Sequence, residues 1–239
     1  MRLYELDLAP ADAKYGRVLV WQWPVRVTHW VTAASIVALF TTGMFICYPF
    51  VTSSGEPTDN FLMGRVRQVH FAAGYALMIS LLTRFFWFFA GNNYARSGVP
   101  LFWRKAWWGS IWSTIKHYGF VERGGVALGH NSLAGMAYTL GVGGVGLAMV
   151  GTGFALYGET NPGGFWDTLF GWMIPLLGGS FRVRIWHHTM AWGFVIFVLV
   201  HLYFVTFDSF RYDNGLFSAM INGNKFYQKG DKATNDWVS

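Results

Sequence analysis

Residues 186–207 read Trp186-His-His-Thr-Met-Ala-Trp-Gly-Phe-Val-Ile-Phe-Val-Leu-Val-His-Leu-Tyr-Phe-Val-Thr-Phe207. The stretch contains no Asp, Glu, Lys or Arg, and its only titratable groups apart from Tyr203 are His187, His188 and His201. It is long enough to cross a hydrocarbon core of ~30 Å as a helix, which takes roughly 20 residues. His201 follows His187 by fourteen residues, which is about 21 Å of helix rise and close to four whole turns. One helix therefore offers two imidazoles on nearly the same face at two depths. Histidine is costly in a bilayer interior, and where it occurs it usually faces the protein and has a task.

Three further stretches have the same character. Thr28–Phe50 and Asn131–Tyr157 carry no charged residue, and Gln68–Ala90 is apolar apart from His70 and Arg84. The expected architecture is all-α: a bundle of four transmembrane helices over about 28–50, 68–90, 131–157 and 186–207, forming one membrane domain across residues 1–239. The whole-chain composition agrees, with 53% hydrophobic and only 13% charged residues against about 25% charged in soluble domains. Phe165–Leu177 is short and holds Asp167 and Pro175, so it is expected as an interfacial or re-entrant piece. Leu101–Phe120 carries Trp103, Trp107, Trp108 and Trp112 beside Arg104, Lys105 and Lys116. It reads as a cytoplasmic interfacial segment, or as part of an ordinary aromatic belt. Residues 1–20 hold Glu5, Asp7, Asp12, Lys14 and Arg17 and no apolar run, so no cleavable signal peptide is expected there.

The net charge of +6 excludes little by itself. Because the basic residues flank the spans, they point to topology and anionic lipid rather than to nucleic acid. Arg2, Lys14, Arg17, Arg26, Arg96, Arg104, Lys105, Lys116, Arg123, Arg211, Lys225, Lys229 and Lys232 fall on one side of a four-span chain. Arg65, Arg67, Arg182 and Arg184 fall on the other. The imbalance predicts both termini in the cytoplasm. Cys47 is the sole cysteine, which excludes an internal disulfide, a four-thiolate cluster and covalent haem attachment.

With that topology the histidines pair by depth. His70 opens the second span at the outer level and His187 opens the fourth there. His29 opens the first span at the cytoplasmic level and His201 closes the fourth there. The expected pairs are His70 with His187 for an outer haem and His29 with His201 for a cytoplasmic haem, each iron held by two neutral imidazoles as in an electron carrier. A metal cluster would want its ligands at one depth. Gly43 falls level with the outer pair, Gly74 lies one turn from His70, and Gly144 follows His130 by fourteen; small residues let a flat macrocycle approach backbone. His188, thirteen residues from His201, is rotated off the shared face and is expected at the interface or beside a propionate. His117 is expected on the surface. His130 is expected in a polar pocket near the cytoplasmic haem. Arg84, at the cytoplasmic end of its span, could snorkel or hold a propionate.

Several segments together resemble the b-type cytochrome subunit of membrane-bound nickel–iron hydrogenases. They are Pro24–Trp30 with His29, His70–Gly74, Arg84 through Gly91–Arg96, Trp103–Lys105, Gly129–Asn131, Gly153–Tyr157 and Trp186–His187. The family's usual Trp-His-Arg-Leu-Gly-Met-Trp stands here as Trp186-His187-His188-Thr189-Met190-Ala191-Trp192, which keeps the Trp-His and the later Trp. The resemblance implies a multi-pass protein of the bacterial inner membrane with two haem b groups ligated by His29, His70, His187 and His201. It implies a partner with an iron–sulfur small subunit and a nickel–iron large subunit on the periplasmic side, and quinone as electron acceptor. By analogy with related formate dehydrogenase cytochromes, His130 and Asn131 are quinone-pocket candidates. The chain would be the electron-transfer subunit of a respiratory hydrogen:quinone oxidoreductase, with no residue catalytic for hydrogen. Rival readings are a cytochrome b subunit of a formate dehydrogenase-like membrane oxidoreductase, with the same fold and haem pairs, and a haem-free membrane anchor. A transporter is disfavoured, since the spans lack broken-helix pairs and nearly all charge.

Overall fold

The computed structural model describes residues 15–51, 55–56, 60–121, 127–211 and 215–228. Glu5, Asp7 and Asp12, and the topology-setting Arg2, Lys14, Arg123, Lys229 and Lys232, lie outside the described residues. In chain order the elements are β1 (Tyr15–Leu19), α1 (Trp23–Cys47), α2 (Leu62–Ala90), α3 (Lys105–Tyr118), α4 (Ser132–Ala137), a π-helix (Tyr138–Val145), α5 (Gly146–Gly158), α6 (Phe165–Phe170), α7 (Met173–Leu176), α8 (Ser180–Arg211), α9 (Leu216–Asn222) and β2 (Asn224–Gln228). A 3₁₀ turn at Asn93–Arg96 follows α2.

Among the described residues, four helical stretches are long and apolar enough to span a bilayer: Trp23–Cys47, Leu62–Ala90, Ser132–Gly158 and Ser180–Arg211. Their most apolar windows are only 6–17% buried within the protein, so most of that apolar surface needs a hydrocarbon surrounding. The observed spans overlap the expected ones. α8 is unbroken, so His187 and His201 do share one helix. The third span is the exception: its middle is π-helical. An i→i+5 helix turns less per residue than an α-helix. His130 also precedes the helix, whose N-cap is Asn131. The expected alignment of Gly144 with His130 after fourteen α-helical steps is therefore lost.

Backbone contacts divide the chain into two compact units. The first comprises Met1–Val27, Arg84–Gly144 and Phe197–Ser239. Its core is Val18, Val20, Trp21, Val25, Leu128 and Ala219. Here β1 and β2 pair antiparallel, with Arg17 opposite Phe226, which ties the segment before α1 to the segment after α9. Asn92 is fully buried at the centre of this unit. Its Oδ1 accepts from the Ala95 amide at 3.1 Å, capping the 3₁₀ turn, and its Nδ2 donates to the Val20 carbonyl at 3.1 Å. Its own amide donates to Gln22 Oε1 at 3.0 Å, and the same oxygen accepts from Trp87 Nε1. Lys225 is also fully buried, with Nζ donating to the carbonyls of Ala127 (3.2 Å) and Gly129 (3.5 Å). The α3 segment is amphipathic: Trp107 and Ile111 face inward, whereas Trp103, Trp108 and Trp112 are exposed.

The second unit comprises Thr28–Thr83 and Val145–Ile196. Lipid tails are as apolar as leucine, so helices there associate through small residues and polar links. Ser80 of α2 donates to the Thr28 carbonyl at 2.9 Å and bonds Thr32 Oγ1 at 2.8 Å, clamping α2 to α1 on both sides of His29. The Phe165–Leu177 piece forms α6 and α7. Trp166 stacks on Phe154 of α5 at 4.0 Å, and Asp167 Oδ2 accepts from the Gly163 amide at 2.8 Å.

Burial lowers the Lys225 ammonium to about 8, against a weaker opposing pull from the Asp208 carboxylate. A base depressed in the folded state binds fewer protons there than when unfolded, so stability rises with pH between about 8 and the ordinary lysine value and is lost as pH falls through 8. Thermal melts of the purified protein between pH 7.5 and 10 should show Tm rising with pH. Lys225→Met should flatten that slope.

Candidate functional site

The clearest construction lies in the second unit, around His70 and His187. His70 Nδ1 is 2.9 Å from Thr42 Oγ1 of α1, and His187 Nδ1 is 2.9 Å from Thr152 Oγ1 of α5. Each threonine hydroxyl has a single hydrogen. In both cases that hydrogen goes to the carbonyl one turn back, Ala38 for Thr42 and Ala148 for Thr152, the latter at 2.8 Å. The hydroxyl oxygen then accepts, and the imidazole Nδ1–H donates. Both rings are thereby held as the tautomer whose Nε2 carries a lone pair, the form that ligates a metal.

The residue after each threonine is a glycine, and each glycine lies under the ring. A methyl at Gly43 would stand 3.3 Å from Cε1 of His70, and one at Gly153 would stand 3.2 Å from Cε1 of His187. Two Thr–Gly steps on two helices thus support two histidines on two others in the same way. His187 is within electrostatic reach of His70 and, more weakly, of His188. At Gly74, one turn beyond His70, an added methyl would meet nothing within 4 Å. Two imidazoles each held through Nδ1, with room at Gly74, fit the donor set of a six-coordinate haem iron. Trp192, whose place after the histidines is kept, packs edge-on against Phe40 at 5.2 Å.

His29 belongs to the second unit and His201 to the first. His29 packs edge-on against Trp30 at 5.1 Å. His201 lies parallel to Phe197, 6.0 Å away at 6°.

The first unit gathers His130, Asn131 and Arg84. His130 Nδ1 and its backbone amide both lie near Ser97 Oγ, at 3.0 and 3.1 Å, while that hydroxyl donates to the Tyr94 carbonyl at 2.7 Å. Its ring lies between Tyr138 (5.3 Å, near-parallel) and Trp21 (4.9 Å). Asn131 has its amide engaged at both ends: Oδ1 caps α4 through the Ala134 amide at 2.7 Å, and Nδ2 donates to Tyr118 Oη at 3.2 Å. Arg84 donates to the Ala95 carbonyl at 2.9 Å and sits 5.6 Å over the Tyr138 ring.

One expectation fails here. His117, expected on the surface, is buried, with its Nε2 3.6 Å from Asp208 Oδ1. It falls on the inward face of α3, and the surrounding tryptophans concealed that. Thr42 and Thr152 join the site residues, and the only sign of them in the sequence is the repeated Thr-Gly dipeptide.

Residues 20–223 match the family described as Prokaryotic cytochrome b561. A chain of Azotobacter chroococcum mcd 1 named "Probable Ni/Fe-hydrogenase B-type cytochrome subunit" is 43% identical over 223 residues, which is 90% of this chain and 91% of its own. A chain of the same name from Cupriavidus necator is 40% identical, covering 87% of each. The "Probable Ni/Fe-hydrogenase 1 B-type cytochrome subunit" of Escherichia coli K12 is 36% identical over 88% of this chain and 92% of its own. With the match running through all four spans, the chain belongs to the prokaryotic cytochrome b561 family.

Proposed function

We propose that this chain is the di-haem b-type cytochrome subunit of a nickel–iron hydrogenase in the bacterial inner membrane. In this reading residues 1–239 form one membrane domain with both termini cytoplasmic. The chain anchors the iron–sulfur small subunit and nickel–iron large subunit at the periplasmic face. Electrons from hydrogen enter at His70 and His187, cross to His29 and His201, and reduce quinone near His130 and Asn131. The hydrogenase association rests on what the relatives are named, and haem b on the family and those names together.

The observation that carries the haem reading is the pair of matched Thr–Gly supports. A histidine that only filled space would need no fixed tautomer, and two would not need the same one. Thr42 and Thr152 orient the rings and hold the proton on Nδ1, and Gly43 and Gly153 give the rings room. Each iron, when bound through Nε2, would supply a reversible one-electron carrier with no open coordination position. If quinone takes its protons from the cytoplasm while hydrogen releases its own outside, electron transfer alone charges the membrane. Each charge moved against a potential of 100 mV is worth about 2.3 kcal/mol.

The first test is a reduced-minus-oxidised spectrum with a pyridine haemochrome count. About two haems b per chain are expected from two bis-histidine sites, with His70→Ala and His29→Ala each losing one. A wild-type chain purified with its native partner and holding no haem would leave a bare anchor. A second test concerns the supports. Thr42→Val or Thr152→Val removes the Nδ1–H acceptor, and loss of such an outer partner weakens metal binding about 10- to 100-fold. Haem transfer to an apoprotein acceptor should quicken accordingly, and an unchanged rate would refute the supporting role.

A further inference from the structure

We infer that Asp208, Tyr118 and His117 form the proton-delivery path for quinone reduction, an inference that rests on the quinone-reducing function proposed above. All three belong to the first unit, as does Asn131. Tyr118 Oη donates to Asp208 Oδ2 at 2.9 Å and accepts from Asn131 Nδ2 at 3.2 Å. His117 Nε2 lies 3.6 Å from Asp208 Oδ1. Hydrogen bonds join a quinone-pocket candidate, a phenol and a carboxyl, and the imidazole stands at ion-pair distance from the carboxyl's other oxygen, which has no hydrogen-bond partner among the described residues.

Asp208 is the only acidic residue between Trp186 and Arg211. Its side chain is 19% exposed and that of His117 is 8%. A carboxylate at the end of an apolar helix is costly to retain, and such residues commonly mark proton relays. Apolar rings surround these groups: Tyr118 stacks on Phe204 at 4.1 Å, and Phe207 packs on both His117 (5.9 Å) and Tyr118 (6.0 Å). From the elements packed against it, Asp208 meets His117 and Tyr118 of α3 and feels the charge of Lys225 of β2, and Arg211 follows it by three residues on α8.

Asp208 lies seven residues beyond His201, two turns along α8 and roughly 10 Å away. Quinone reduced beside that histidine gains two electrons and needs two protons. For each proton, the Tyr118 O–H bond breaks as an O–H bond forms on the quinone oxygen. Tyr118 takes its replacement from the Asp208 carboxyl, and Asp208 is reprotonated from water through His117. The two electrons would arrive singly, the haem being reduced again by the hydrogenase between them, and the product is the quinol.

A purely structural carboxylate would also bind Tyr118 and His117, and Asp208→Asn separates the two roles. The asparagine keeps an acceptor oxygen for Tyr118 but carries no proton. The experiment takes the full chain, reduces its haem with limiting dithionite, and follows haem reoxidation by decylubiquinone and by ferricyanide, which accepts an electron without a proton. In Asp208→Asn and in Tyr118→Phe, reoxidation by decylubiquinone should slow about a hundredfold, the low end for loss of a positioned acid. Its pH dependence should flatten. Reoxidation by ferricyanide should keep its rate, and Asp208→Glu should recover the quinone rate. Unchanged quinone rates, or equal slowing with both oxidants, would overturn the relay. A wild-type haem that decylubiquinone does not oxidise would instead overturn the quinone-reducing function itself.

Discussion

A hydroxyl has one hydrogen to give, and the arrangement around His70 and His187 depends on where it goes. Thr42 and Thr152 each lie in a helix whose carbonyl one turn back takes that hydrogen. The oxygen left over can only accept. A histidine facing it must then place its proton on Nδ1 and its lone pair on Nε2. In water the bond would be worth little and the tautomer would be free to change. In hydrocarbon an unmet ring nitrogen has no solvent to turn to, so the threonine fixes both ring orientation and chemistry. Interhelical bonds of this kind contribute roughly 0.6–2 kcal/mol each. The same contacts therefore assemble α1 on α2 and α5 on α8 while they prepare the histidines.

Glycine adjoins each threonine for a related reason. A hydroxyl at 2.9 Å from the ring nitrogen brings the following residue to within van der Waals reach of the ring edge. With methyls at Gly43 and Gly153 standing 3.3 and 3.2 Å from the ring carbons, larger side chains would push the imidazoles away. Hydrogen bond and clearance thus constrain the dipeptide together. This is why one threonine–glycine step recurs on two helices of otherwise different sequence.

The spans could be read from the sequence because hydrocarbon imposes a length and forbids charge, and both are countable. The spacing of His187 and His201 could be read because α8 is a regular helix. The third span resisted the same counting. Nothing in Tyr138–Val145 marks a π-helix beyond its glycines, and a change of period inside a span shifts every residue after it. The pairing of β1 with β2 was equally hidden, since Arg17 and Phe226 sit at opposite ends of the chain and neither strand alternates clearly. The burial of His117 is not legible in the sequence, because it is set by Trp107 and Ile111 packing inward, a choice that three tryptophans on a short helix leave open.

Charge is placed sparingly, and the exceptions mark where the chain does more than span. Arg84 spends its guanidinium on the Ala95 carbonyl and the face of Tyr138, the ring that in turn stacks on His130. Lys225 is buried to hold the carbonyls of Ala127 and Gly129, the approach to His130. Asp208 faces two residues of α3 and, through Tyr118, reaches Asn131. Three ionisable groups from three different elements thus converge on the two residues that open the third span. A segment that served only to cross the bilayer would need none of them. Gly129–Asn131 is thereby held from several elements at once, at the cost of desolvating a lysine.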